Sequence, residues 1–220
     1  MLAAARKEPS AVLLFAQLAA VLLYPFLQDS DIGRAVFNVL GIAILMLVLL
    51  AVRSTPALTW VAWVLGVPTT ILLLTQAVQG GSDELQPFTS ALAAVLYFYA
   101  AGALIAYMLA DHEITRDELF AVGATFTLVA WAFAHLYVVN QAIEPHSFTA
   151  AVDPAGKRSW VELLFLSFTT LTSTGLSDVI PIKPFARGLV MIEQIAGLAY
   201  VAVLVSRLVA LTVRGRITDA

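Results

Sequence analysis

A chain of 220 residues that is 60% hydrophobic and 12% charged, with a mean hydropathy of +0.90, is no ordinary soluble domain, where about a quarter of residues carry charge. The absence of cysteine excludes disulfide frameworks, thiolate metal sites and thiol nucleophiles. A net charge of −3 without a basic block offers no footprint for nucleic acid, so the expected partner is the lipid bilayer.

Residues 2–5 form an apolar start too short for a signal-peptide core before Arg6, Lys7 and Glu8, so the first long apolar run is expected to stay in the protein. A membrane span needs about 20 mainly apolar residues, because roughly 30 Å of hydrocarbon is crossed at about 1.5 Å per residue. Six stretches qualify: residues 11–27, 35–52, 57–75, 88–109, 119–139 and 187–213. Polar or turn-forming breaks separate them at Asp29-Ser30-Asp31, Ser54-Thr55-Pro56, Gly80-Gly81-Ser82-Asp83 and the acidic run 111–118, which reads as a solvated helix start. Pro56 falls near a first helical turn, where its missing N–H costs nothing. A further apolar run, 161–171, is too short to cross and reads as a re-entrant helix; the non-helical residues behind it then imply a pore or pocket.

Six spans place both termini on one side. With that side cytoplasmic, Arg6, Lys7, Arg53, Arg116, Arg207, Arg214 and Arg216 lie inside, against Arg34, Lys157, Arg158, Lys183 and Arg187 outside. The outer side also gathers Asp29, Asp31, Asp83, Glu84, Glu144, Asp153, Glu162 and Asp178, an acidic mouth that concentrates cations. The fourth span, 88–109, carries no Arg or Lys, which argues against voltage sensing through it.

The stretch Thr170-Leu-Thr-Ser-Thr-Gly-Leu-Ser-Asp178, followed by Pro181, Pro184, Phe185, Ala186 and Arg187, resembles the pore signature of the potassium-channel-like tetrameric cation channels. The likeness covers residues 160–213; the first four spans match in number alone. It implies an all-α membrane protein of six transmembrane helices, with a re-entrant pore helix and filter loop between the fifth and sixth. Residues 1–118 would form a four-helix domain without an arginine sensor, and 119–220 the pore domain. It implies a homotetramer, since one loop cannot surround an ion. The filter would comprise Thr172, Ser173, Thr174, Gly175, Leu176, Ser177 and Asp178, with Ser173 in the place of the cavity-facing threonine and Gly175 as the first filter glycine.

Two departures bear on selectivity. Leu176 stands where the family has tyrosine and cannot supply its hydroxyl, and Ser177 replaces the second glycine, where a Cβ at positive φ costs roughly 1–2 kcal/mol. Both argue for a filter passing K⁺ and Na⁺ with weak discrimination, and leave a potassium-selective channel or a non-conducting scaffold as alternatives. The only cofactors expected are the permeant cations themselves.

In the last span, Glu193 sits at membrane depth and needs a partner; it is read as a filter support bonded to hydroxyls or amides of 172–177, or as an inter-subunit contact to Gln194 or Tyr200. Gly197 is a hinge by the resemblance, or a close helix contact. Val201, Val205 and Val209 recur on one face, either as a hydrophobic gate or as packing. The three histidines show no metal-ligand spacing, and His135 reads as a packing residue. Residues 175–179 lack the trailing small residue of a nucleophile elbow, so no enzyme is expected. A transporter would need a second interrupted segment. No soluble regulatory domain is expected after Val213, and the expected location is the bacterial inner (plasma) membrane.

Overall fold

The computed structural model describes residues 8–27, 31–53, 55, 57, 59–78, 84–110 and 115–218, with side chains described except at 25, 27, 31–38, 59, 77, 78 and 208–218. Arg6, Lys7, Asp29, Ser30, Ser54, Pro56, the break at 80–83 and residues 111–114 of the acidic run lie outside the described residues. In chain order the elements are α1 (Pro9–Leu27), α2 (Asp31–Arg53), α3 (Thr59–Val78), α4 (Gln86–Leu109), α5 (Arg116–Ile143), β1 (Phe148–Ala150), α6 (Trp160–Leu171), β2 (Val179–Pro181) and α7 (Pro184–Thr218). Every expected apolar run overlaps a helix. The last helix starts at Pro184, ahead of Arg187, because Pro fits a first turn.

Among the described residues, three segments are long and apolar enough to cross a bilayer: Gln86–Leu109, Arg116–Ile143 and Pro184–Arg207. Pro9–Tyr24, Val39–Arg53, Trp60–Gln76 and Trp160–Leu171 are shorter apolar helices. The chain forms two compact units, Met1–Ala132 and Phe133–Ala220.

In the first unit consecutive helices pack on one another and α2 also touches α4. Buried Leu45, Val48, Leu49 and Val52 of α2 follow the i, i+3, i+4, i+7 spacing of one helix face, which Ile44 and Ala51, also buried, widen. On α4 the buried face is rich in alanine (Ala93, Ala94, Ala100, Ala101), which lets neighbouring backbones approach. The opposite side of α3 exposes Trp60, Trp63, Val67, Ile71 and Leu74, an apolar stripe suited to lipid. Pro68 interrupts the α3 hydrogen-bond ladder, and hydroxyls flank the break: Thr69 donates to the Leu65 carbonyl at 2.7 Å and Thr70 to that of Gly66 at 2.8 Å.

The start of α5 caps α1. Asp117 accepts from the Ser10 N–H at 3.0 Å and from its hydroxyl at 2.9 Å, with both residues buried, so a carboxylate sits on the positive end of the α1 dipole. Phe15 stacks on Phe120 at 5.9 Å, and Gly123 makes room for Leu14. Replacing Asp117 by Ala is expected to leave two buried donors unpaired and to destabilise this unit by about 2 kcal/mol. Thermal unfolding of the detergent-solubilised protein checks this, with Asp117→Asn, which keeps one acceptor, losing less.

Candidate functional site

The second unit is built by three helical segments and a short hairpin-like pair of strands. β1 and β2 run antiparallel with Phe148 opposite Pro181 and Ala150 opposite Val179, and the Ile182 N–H adds a bond to the Ser147 carbonyl at 2.9 Å. The chain before α6 is thereby tied to the chain after the loop. Lys183 pairs with Glu144 at 3.7 Å beside this junction.

Between β1 and α6 the loop folds around the Arg158 guanidinium, which is only 4% exposed. Nη2 donates to the carbonyls of Asp153 (2.6 Å) and Gly156 (2.9 Å), Nε to Gly156 (3.1 Å), and Nη1 to Val152 (3.3 Å) and to Glu162 Oε1 (3.0 Å). The Gln141 side chain on α5 closes a two-point pair with the Arg158 backbone, at 2.8 and 3.1 Å. At Gly156 a Cβ would lie 2.0 Å from Asp153 Oδ2 and 2.7 Å from Arg158 Nη2, so a side chain there would displace these groups. Ser159 and Glu162 then start α6 with a reciprocal capping box. The half-buried His135 ring lies 5.6 Å from that of Trp160, the first residue of α6, in a tilted arrangement.

α6 ends in a Schellman motif. The Ser173 N–H bonds the Thr170 carbonyl (2.9 Å) and the Thr174 N–H that of Thr169 (3.0 Å), with the Gly175 N–H joining the same Thr169 oxygen at 3.1 Å. This turn puts Ser173 at φ 58, and Gly175 follows at φ 67. Hydroxyls reinforce it: Thr172 donates to Phe168 O at 2.7 Å, Thr174 to Thr169 O at 3.2 Å, and the two hydroxyls lie 3.0 Å apart. Among the described residues nothing donates to the carbonyl oxygens of 172–177. The loop therefore presents open carbonyls and hydroxyl lone pairs at the negative end of a helix.

The expected strain at Ser177 is absent: positive φ falls at Ser173 and Gly175 instead. The Ser177 hydroxyl accepts the Val179 N–H at 3.1 Å, which leads the chain into β2. Thr172, Ser173, Thr174, Gly175, Leu176 (79% exposed) and Asp178 lie open, with Ser177 half-buried.

On α7 the buried residues are Ala186, Glu193 and Gly197, the side facing α6. Glu193 has no exposure at all; its Oε2 accepts from the Tyr137 hydroxyl on α5 and its Oε1 from the Ser167 hydroxyl on α6. The expectation that it bonds hydroxyls or amides of the 172–177 loop is thus corrected. Glu193 grips the helices behind the loop, because two hydroxyls already at membrane depth satisfy both carboxylate oxygens. At Gly197 a Cβ would lie 2.1 Å from the Leu171 carbonyl oxygen, so this glycine is accounted for by close helix approach. Val201 and Val205 are 49% and 53% exposed within the chain, while the Val209 side chain lies outside those described. Among the described residues no group of three or more His, Asp or Glu gathers to hold a metal.

Tyr137, Ser167, Arg158 and Gln141 escaped the sequence reading. The Ser-x-x-Glu spacing at 159–162 was the one available signal for this corner. Replacing Gly197 by Ala forces its methyl onto a backbone carbonyl and is expected to destabilise the second unit by about 2 kcal/mol or more. Thermal unfolding measures it, with Gly188→Ala, whose Cβ meets nothing within 4 Å, as the control.

A family model described as "Ion channel" matches residues 94–214, a little over half of the chain. Protein LctB of Geobacillus stearothermophilus is 32% identical over 125 residues, covering 56% of this chain and 92% of that protein. No solved structure matches. The matched region contains α6, its loop and the membrane-length part of α7, and the chain belongs to the ion channel family with a potassium-channel-like pore module, as an integral membrane protein.

Proposed function

We propose that the chain is one subunit of a homotetrameric, six-span channel that passes K⁺ and Na⁺ with weak discrimination through the loop 172–178. The observation that carries this reading is the open carbonyl and hydroxyl array at the C-terminal end of α6, within the matched channel region. A cation leaving water needs oxygens to replace its hydration shell, weakly enough held that it moves on. One loop covers one side of such a site, and four around an axis enclose it.

In this reading α6 is the re-entrant helix, since twelve residues rise about 18 Å, near half of the hydrocarbon. Residues 119–220 are the pore domain, and 1–118 form a four-helix transmembrane domain without an arginine voltage sensor. Val201, Val205 and Val209 line the cavity below the filter as a dewetting constriction. Both termini face the cytoplasm of a bacterial cell.

Weak selectivity follows from the backbone. Thr174 and Gly175 turn their amides onto Thr169, so the loop is gathered against the helix end instead of running out as a long ladder of carbonyls. Leu176 and Ser177 supply neither a bracing hydroxyl nor a second glycine.

Flux through purified protein in liposomes tests the assignment. Wild type is expected to pass both ions, Gly175→Asp to abolish flux by holding cations too tightly in a ring of carboxylates, and Leu176→Tyr with Ser177→Gly to raise K⁺ over Na⁺. A folded tetramer that gives no flux above empty liposomes would return the chain to the scaffold reading.

The acidic mouth narrows to one group in this unit. Glu144 is paired with Lys183, and Glu162 and Asp153 lie 3.0 and 4.0 Å from Arg158, whereas Asp178 is exposed with no ion pair among the described residues. Asp178→Asn is therefore expected to lower conductance several-fold at about 0.01 M salt, where the Debye length is about 30 Å, and hardly at 1 M, where it is about 3 Å. An equal fall at both salts would remove the steering role.

A further inference from the structure

Among the described residues, two close contacts between α6 and α7 share one spacing. Ser167 meets Glu193, and four residues further along both helices the Leu171 carbonyl meets Gly197. Since i and i+4 fall on the same face of a helix, these are successive rungs of one seam between two helices running side by side in the same direction. Tyr137 closes the first rung from α5, so a single carboxylate holds three helices. The second rung lies at the last residue of α6, immediately before Thr172.

We infer that the Tyr137 and Ser167 hydroxyls are positioning residues for ion selection, acting through Glu193 to set where the end of α6, and with it the 172–177 loop, stands relative to α7. The inference deepens the channel reading and rests on it for its ion-selection readout. The inner half of the loop is fastened to the last turn of α6: the amides of Ser173, Thr174 and Gly175 and the hydroxyls of Thr172 and Thr174 all bond carbonyls of residues 168–170, on the turn between the two rungs. If Ser167 is released, that turn loses its hydrogen bond to α7 and keeps the close backbone contact at Gly197. If Tyr137 is released, the carboxylate loses its tie to α5 and one of its oxygens is left buried without a donor. Either change reaches the loop without touching an ion. Buried hydroxyls at membrane depth have few alternative partners, so the three groups are expected to act as one unit.

The test compares Tyr137→Phe, Ser167→Ala and the double variant in the full-length protein. Thr149→Val serves as a control that removes a hydroxyl hydrogen bond of 3.0 Å to the Pro154 carbonyl in the same unit. Two readouts are taken: the Na⁺/K⁺ permeability ratio from reversal potentials in proteoliposomes, and amide hydrogen exchange at Thr174 and Gly175. The inference expects each single variant to change the permeability ratio at least threefold and to speed exchange at the two amides at least tenfold. It expects the double variant to add little beyond either single, and the control to change neither.

Assembled variants that conduct with the wild-type ratio and exchange at the wild-type rate would overturn it, as would changes equal to those of Thr149→Val, which would mark general loosening. Faster exchange in the variants, alongside a wild-type tetramer that carries no current, would sustain the positioning of the loop while removing the channel reading. Should Tyr137→Phe fail to assemble, Ser167→Ala and Glu193→Gln decide by the same two readouts, the latter keeping one acceptor oxygen and expected to give the smaller change.

Discussion

A carboxylate with no exposure to solvent, set among membrane helices, imposes the arrangement of the second unit. A polar group at that depth needs hydrogen-bond partners, and the Glu193 carboxyl has them on two different helices, Tyr137 on α5 and Ser167 on α6. Lipid supplies no hydrophobic drive for helices to associate with one another, so the seam depends on hydrogen bonds and close backbone contact. Gly197 provides the second of these one turn away. The two conditions reinforce each other: a side chain at 197 would push α6 off α7 and draw Ser167 away from the carboxylate.

From that seam the loop follows. α6 is short, and its last carbonyls need partners, which the Schellman turn supplies by bending the chain back at Ser173. A residue with a Cβ at positive φ there costs roughly 1 kcal/mol relative to glycine. The threonine hydroxyls around it donate to helix-end carbonyls, so exposed side chains finish the helix. At the other end β2 takes over, with Val179 buried and paired to Ala150. On the proposed reading, the stretch between a capped helix and a paired strand is what remains to supply oxygens to an ion.

The helices were legible because apolar runs of about 20 residues and polar breaks are strong signals in a chain this rich in apolar residues. Glu193 and Gly197 stood out too, being a charge and a helix breaker inside an apolar run. Their partners did not. Tyr137 and Ser167 lie 56 and 26 residues from Glu193, and nothing local separates a hydroxyl that binds a buried carboxylate from one that satisfies its own helix. β1 and β2, three residues each, are too short for any alternation to register. Arg158 looked like one more outer-face charge, whereas its guanidinium is the buried centre of the loop before α6; only the packing of 152–156 around it reveals that.

The same distinction bears on Ser177. Pattern alone places a second glycine of the family signature at this position, and reading its replacement as strain at the outer end assumes the family's backbone. Here the backbone differs: left-handed conformation falls at Ser173 and Gly175, and Ser177 is held by its hydroxyl on the Val179 N–H. Losing glycine at 177 is then compatible with the fold because the conformation that required it is not used, and the strain has moved to the inner end, where the helix cap demands it. On the proposed reading, an ion passing this loop meets an outer half committed to a strand and an inner half committed to a helix end. Fewer oxygens remain free to surround it than in a fully extended filter, and weak discrimination between K⁺ and Na⁺ is the physical consequence.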